Sequence, residues 1–202
     1  MPEVAPVLMV EMDVPGVESD LRAGSLCCPL CAGALGPWGW ARRRCVRSAE
    51  RGALLVLRPR RARCRGCGGT HVLLPDACLL RRQYEVGVIG AALEGRLSGL
   101  GYRRIAVQIG VPADTVRSWL RRFRDRSGMI RSHFVRFAHA VDPELGSIVP
   151  AGSLFAEALG AIGVAAGAWV RRFGARGFWR LVAWLSGGLL LATRVAPFPA
   201  VP

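Results

Sequence analysis

Four cysteines are the residues of this chain best suited to bind a metal ion. They form two Cys-x2-Cys pairs, Cys28 with Cys31 and Cys64 with Cys67, and thirty-two residues separate the pairs. A two-residue gap lets one tight turn present both thiolates to the same ion, so two such turns supply four tetrahedral ligands. This spacing is typical of a zinc ribbon and predicts a structural Zn²⁺ bound by these four side chains.

Other cysteines and one histidine leave the ligand set open. Cys27 directly precedes Cys28, so the register of the first pair is ambiguous, although the Cys-Pro-x-Cys pattern favours Cys28. His71 follows the second pair by four positions and could replace one thiolate, but we expect it on a strand. Four thiolates close the coordination sphere, which favours a structural over a catalytic metal. We predict that Cys45 and Cys78 are small buried side chains.

The positive charge of the chain is concentrated in its middle. The net charge is +14 over 202 residues, but residues 25–136 hold 22 arginines against 6 acidic residues, a net +16. Residues 1–24 hold 5 acidic residues against one arginine, a net −4. The chain lacks lysine, which a GC-rich genome explains, but that bias does not explain so basic a segment. We therefore predict a polyanionic partner, namely nucleic acid.

A pair of short packed helices is predicted directly after this basic ribbon. Residues 102–121 match the helix-turn-helix pattern, with Ala106 where the helices cross and Gly110 in the turn, where a positive φ is required. The apolar positions that would pack the helices together are Ile105, Ile109, Val111, Val116 and Trp119. In such a motif the second helix enters the major groove of double-stranded DNA.

The residues predicted to contact DNA are mostly arginines. Arg117 is best placed for a bidentate contact with guanine. Asp114 would accept from cytosine N4 or stabilise the helix N-terminus through the macrodipole. The remaining predicted contacts, with the arginines expected at phosphates, are Arg103, Arg104, Thr115, Ser118, Arg121, Arg122 and Arg124.

The predicted fold class is α+β, with a small β-sheet followed by helices. Residues 1–24 form an acidic lead-in with a short strand, residues 25–79 the zinc ribbon, residues 80–136 the helix-turn-helix domain and residues 137–202 an apolar helical tail. Within the ribbon we expect strands over 38–47, 53–58 and 70–74, with a turn at 50–52.

The apolar tail raises the question of a membrane. Residues 151–170 carry only one charge, Glu157, but they are rich in Ala and Gly, and the second apolar stretch, 178–193, contains Arg180. We therefore expect soluble helices, which could form a homodimer. The acidic start does not resemble a signal peptide, and paired cysteines in a reducing compartment indicate metal, so we predict a cytoplasmic, nucleoid-associated protein.

Catalytic groups for DNA cleavage are not evident. A DDE-type transposase holds two metal ions with three carboxylates. The acidic residues of the tail, Asp142, Glu144 and Glu157, fall within sixteen residues, which leaves no room for the sheet that would position them. We predict a non-enzyme with no small-molecule substrate.

Several of these motifs resemble those of a known group of proteins. The segments Cys28-Pro-Leu-Cys31, Trp38-Gly-Trp40, Arg63-Cys-Arg-Gly-Cys-Gly-Gly-Thr-His-Val-Leu-Leu-Pro75 and Thr115-Val-Arg-Ser-Trp-Leu-Arg-Arg-Phe123 resemble those of uncharacterised bacterial proteins, chiefly actinobacterial. These combine a zinc ribbon with a helix-turn-helix and are similar to N-terminal portions of insertion-sequence transposases. The resemblance covers roughly residues 7–195 and implies DNA binding linked to mobile elements.

The main hypothesis is a sequence-specific double-stranded DNA-binding protein, either a transcription regulator or the DNA-recognition component of a mobile element. The alternative is a non-catalytic accessory or remnant of a transposase that acts with a separate catalytic partner. A weaker hypothesis is single-stranded RNA binding, which stacks bases on aromatic side chains; Trp38 and Trp40 are the candidates.

Overall fold

The computed structural model describes residues 7–48, 53–146, 152–192 and 198–199. The strands are β1 (Val7–Val10), β2 (Leu35–Trp40), β3 (Arg44–Arg47), β4 (Leu54–Leu57), β5 (Arg60–Cys64) and β6 (Thr70–Pro75). The helices are α1 (Val14–Ala23), α2 (Val86–Leu97), α3 (Tyr102–Ile109), α4 (Ala113–Val141), α5 (Leu154–Phe173) and α6 (Phe178–Leu185). Strands thus precede a mainly helical region, which confirms the α+β class. The turn predicted at residues 50–52 lies outside the described residues.

The cysteine-rich region is organised by a four-stranded sheet in the order β1-β6-β5-β2. β1 runs parallel to β6, while the other neighbours are antiparallel. The single strand predicted over 38–47 is wrong, because its two parts pair with different partners and residues 41–43 between them are in no strand. β2 ends at Trp40 and pairs with β5, whereas β3 begins at Arg44 and forms a separate hairpin with β4.

The two faces of this sheet are covered by different elements. Alternation along the strands places Leu35, Ala62 and Leu73 on one face, where they form a core with Val17 and Leu21 of α1. α1 follows β1 in the chain, and its first turn accommodates a proline. One face of the sheet is therefore closed by a helix that precedes the cysteines.

The opposite face of the sheet packs against the C-terminal part of the chain. A Cβ added to Gly188 would lie 3.1 Å from both Leu74 Cδ2 and Met9 Sδ. The N–H of Leu80 donates to the carbonyl of Gly188 over 2.9 Å. The sheet and the helices thus share one continuous core.

The longest helix, α4, connects the basic segment to the C-terminal helices. Its 29 residues span about 44 Å at the usual helical rise. The predicted domain boundary at 136/137 falls inside it. Phe123 stacks edge-on against Phe155 of α5 at 4.8 Å, and Phe137 lies 6.1 Å from the Trp169 ring.

Among the described residues, α5 is the one helix long and apolar enough to cross a membrane by length and composition. In its most apolar window 33% is buried. Leu159, Ile162 and Ala166 of this helix are buried, whereas Leu154 is 61% exposed. Part of the helix thus packs inside the chain itself.

The two remaining cysteines have different environments. Cys78 is fully buried, as predicted, whereas Cys45 is exposed and the prediction for it is wrong. Alternation along β3 turns the neighbouring Val46 into the core, so Cys45 points to the other side.

Candidate metal centre and basic helix surface

The two Cys-x2-Cys turns have the same backbone geometry. The N–H of Cys28 donates to the carbonyl of Gly33 over 2.8 Å, and the N–H of Cys64 donates to that of Gly69 over 2.8 Å. Both bonds close the turn five residues after its first cysteine. The shared geometry makes the two turns structurally equivalent halves of one site.

The residue after each second cysteine has a left-handed backbone. Ala32 has a φ of 58° and Gly68 a φ of 72°. Their N–H groups donate to the carbonyls of Cys28 and Cys64 over 2.8 and 3.1 Å. Glycine adopts this conformation freely and alanine does so at some cost, so Ala32 is held there by the turn.

The four predicted ligand sulfurs converge on one point. The Sγ atoms of Cys28, Cys31, Cys64 and Cys67 all lie within 4.8 Å of one another. A Cβ added to Gly33 would lie 3.1 Å from Cys64 Sγ, so a side chain there would crowd the sulfurs. The donor set and spacing fit a single tetrahedral metal ion, and these four residues could hold it.

Backbone amides point at the sulfurs and alter their acidity. The N–H of Cys67, 3.4 Å from Cys64 Sγ, is the main cause that lowers the pKa of Cys64 to about 6. For Cys67 the Gly69 amide acts in the same direction, but the Cys31 and Cys64 thiols outweigh it and raise the pKa to about 11. Four thiolates this close repel one another, so a bound cation is what would let all four ionise together.

The positions of Cys27 and His71 relative to the cluster show whether either belongs to the converging set. Cys27 is exposed, with its Sγ 3.9 Å from the carbonyl of Ser25, and the cluster includes Cys28 instead. His71 lies on β6, as predicted, and is fully buried with Nε2 3.2 Å from Cys28 Sγ. The converging set contains four cysteines, with the imidazole beside one of them.

The predicted helix pair is formed by α3 and α4. Gly110 ends α3 with a φ of 65°, and the next N–H, from Val111, donates to Ala106 O over 3.0 Å. The predicted packing positions Ile105, Ala106, Val111, Val116 and Trp119 are buried, and Ile109 is partly buried. Pro112 is the N-cap of α4, which makes no side-chain cap hydrogen bond.

The predicted DNA-contacting residues lie mostly on the solvent side of this helix pair. The exposed ones are Arg103, Arg104, Asp114, Arg117, Arg121 and Arg124, whereas Thr115, Ser118 and Arg122 are partly buried. Arg122 Nε donates to Ser118 Oγ over 3.2 Å, so these two side chains hold each other. Arg124 Nε lies 3.9 Å from Asp125 in an exposed pair.

The two exposed tryptophans of the ribbon do not form a common platform. Trp40 pairs with Arg60, which binds Glu18 of α1 over 2.5 Å, so Trp40 lies on the α1 face. Trp38 lies where the β2–β5 register shifts and contacts Arg63, which is on the opposite face, with the Arg63 guanidinium 4.6 Å from the Trp38 ring centroid. Bases of one strand cannot stack on both, which weakens the hypothesis of single-stranded RNA binding.

A short repeat in the sequence also marks the two cysteine turns. Each cysteine pair is followed by two small residues, Ala32-Gly33 and Gly68-Gly69. The first small residue after each pair has the left-handed backbone conformation, and the second supplies the carbonyl that closes the turn. We did not predict the repeat, although it distinguishes a metal-binding turn from two cysteines that are close by chance.

The fold and the site define an α+β protein in which a four-cysteine cluster on a small sheet precedes a bundle of helices. A family described as a domain of unknown function, DUF6431, matches residues 28–119. That match starts at the first cysteine of the cluster and ends in the second turn of α4, so it includes both cysteine turns, α3 and only the beginning of α4. Neither a curated protein nor a solved structure matches the chain.

Proposed function

We propose that this protein binds double-stranded DNA in a sequence-specific manner, as a transcription regulator or as the DNA-recognition component of a mobile element. The observation that carries the proposal is the division of the α3–α4 pair into a buried apolar side and an exposed arginine side. Five exposed arginines lie on that solvent side: Arg103, Arg104, Arg117, Arg121 and Arg124.

The long second helix suits a role in base recognition because its far end is fixed. Phe123, Ile130 and Phe134 of α4 are fully buried in the core. A helix anchored over its later turns presents its first turns in one orientation, which direct readout requires. Arg117 would contact guanine from the first turns, and the other exposed arginines would contact phosphates.

The metal in this proposal is Zn²⁺ with a structural role. Four thiolates favour zinc among the common divalent ions and leave no open coordination position for catalysis. The two cysteine turns are joined to β2 and β5, so the ion would fix the end of the sheet. The energy of metal binding would then be part of the folding energy of this region.

The test is selection of bound sequences from a random duplex library with the purified, metal-loaded protein. We expect enrichment of a motif of a few base pairs. A homodimer would enrich two half-sites about one helical turn apart, while a monomer would enrich one. Recovery of sequences indistinguishable from the input library would refute sequence-specific binding.

A further inference from the structure

A cleft with two arginines lies beside the second cysteine pair, and no residue of the helix pair lines it. It has a volume of about 690 Å³ and is lined by Gly36, Pro37 and residues 63–68. Three glycines among these residues lack the side chains that would fill it. Among the described residues, no carboxylate lines the cleft, and Arg63 and Arg65 line it together with Cys64 and Cys67 of the cysteine cluster.

The guanidinium of Arg63 is held in place at this cleft. Its Cζ lies 4.6 Å from the centroid of the Trp38 ring, and its Nε donates to the carbonyl of Gly68 over 3.2 Å. Arg63 nevertheless remains exposed. An arginine stacked on an aromatic ring loses less conformational freedom when it binds a ligand.

The second guanidinium is positioned by the absence of a side chain at Gly36. A Cβ there would lie 3.3 Å from Arg65 Nε, so Arg65 passes directly over this glycine. The backbone N–H of Arg65 donates to Ala34 O over 3.0 Å, which ties the turn to the strand. The cleft therefore offers two exposed guanidinium groups on a rigid turn.

The arginines of the two sheet faces differ in their partners. Arg60, on the α1 face, is neutralised by Glu18 at 2.5 Å. Arg63 pairs with Gly36 across the strands and shares the face of Arg61, Val72 and Leu74. That is the face on which the sheet packs against the C-terminal part of the chain.

We infer that this cleft is a second DNA contact, in which Arg63 and Arg65 bind phosphates of the duplex backbone. The inference rests on the proposed function and adds to it a site outside the helix pair. The two guanidinium groups, with no carboxylate among the residues that line the cleft, match the charge and the bidentate geometry of phosphate oxygens. Trp38 acts as a positioning residue for Arg63.

The experiment measures the affinity for the selected duplex, lengthened to about 30 base pairs, over a series of salt concentrations. Each neutralised phosphate contributes about 0.9 to the slope of log affinity against log salt. Arg63→Ala combined with Arg65→Ala should therefore lower that slope by about 1.8 and weaken binding to all duplex sequences equally. Arg22→Ala, an exposed arginine on α1 at the other face, is the control and should leave the slope unchanged.

A further pair of variants separates positioning from folding. Trp38→Ala should reduce the slope by up to about 0.9, because Arg63 loses its support, and Trp38→Phe should restore it. Metal content is measured for each variant to confirm an intact cluster.

Three outcomes would overturn the inference. If the double variant keeps the wild-type slope while Arg117→Ala removes sequence preference, the cleft is not a DNA contact but the proposed function stands. If the double variant affects only single-stranded DNA, the partner is not the duplex. If the wild-type protein binds no duplex at any salt concentration, both the inference and the proposed function fail.

Discussion

The carboxylate of Asp76 and the guanidinium of Arg176 form a 2.8 Å ion pair between residues one hundred positions apart. Asp76 follows β6 and its side chain is only 5% exposed, while Arg176 lies between α5 and α6. Arg176 also lies 3.3 Å from Glu11 and 4.4 Å from the Trp184 ring centroid. This pair joins the sheet to the C-terminal helices.

Arg176→Ala should lower the free energy of unfolding by about 3 kcal/mol, because it leaves the buried Asp76 carboxylate without its cation. The measurement is chemical denaturation followed by circular dichroism. Arg171→Ala is the matched control: its pair with Asp142 has a similar distance of 2.9 Å, but the Arg171 side chain is exposed. We expect less than about 1 kcal/mol from the control. Equal losses for both variants would show that the buried pair does not join the two parts.

The contact between α2 and α6 depends on a glycine. A Cβ added to Gly90 would lie 2.0 Å from Trp179 Cε2, inside the indole ring. Gly90→Ala should therefore destabilise the protein by roughly 1–3 kcal/mol through overpacking. Gly87→Ala, in the same helix and with no atom within 4 Å of its Cβ, should instead stabilise it by about 0.5–1 kcal/mol. Thermal unfolding of the two variants measures whether the first lowers and the second raises the stability of the protein.

Substitutions of two adjacent cysteines should have different effects on zinc binding. Cys28→Ser should remove the bound zinc and unfold the sheet, because structural zinc sites supply roughly 10–16 kcal/mol of apparent binding energy. Cys27→Ser, one position earlier, should keep one zinc per chain because its sulfur lies outside the cluster. Elemental analysis of the purified variants measures this. Loss of zinc from Cys27→Ser but not from Cys28→Ser would reverse the assignment.

Because Cys78 is buried, the protein should lose stability at alkaline pH. Burial raises the pKa of its thiol to about 11, whereas an unfolded cysteine ionises near 8.5. The raised pKa stabilises the folded state fully below about pH 8.5, and this contribution is lost as the pH rises towards 11. Between pH 8 and 10 the free energy of unfolding should fall by about 1–2 kcal/mol more in the wild type than in Cys78→Ala. The same pH dependence in both would contradict a buried neutral thiol.

Short-range patterns in the sequence predicted the parts of the site that depend on neighbouring residues. The metal-binding cysteines follow from a two-residue gap, and the α3–α4 turn follows from Gly110, whose φ of 65° favours glycine. The buried residues of that pair follow from helical periodicity. None of these depends on where distant strands lie.

Long-range pairing accounts for most of what the sequence did not predict. β5 contains Arg60, Arg61 and Arg63, and a segment with so many charges is not expected to be a central strand. Its Ala62 is nevertheless fully buried. The parallel pairing of β1 with β6 joins segments about sixty residues apart, and no local signal marks it. The C-terminal helices were expected to form a separate tail, but their partners in the core lie on α2 and α4.

Arg117 of α4 is the residue that we propose reads DNA bases. The most direct test is the affinity of wild type and Arg117→Ala for the selected duplex and for a scrambled duplex of equal length, with the exposed Arg171→Ala as control. Loss of one bidentate base contact should weaken binding to the selected duplex by about 1–3 kcal/mol. Binding to the scrambled duplex should change little by comparison. An equal fall in affinity for both duplexes would contradict direct readout by this helix.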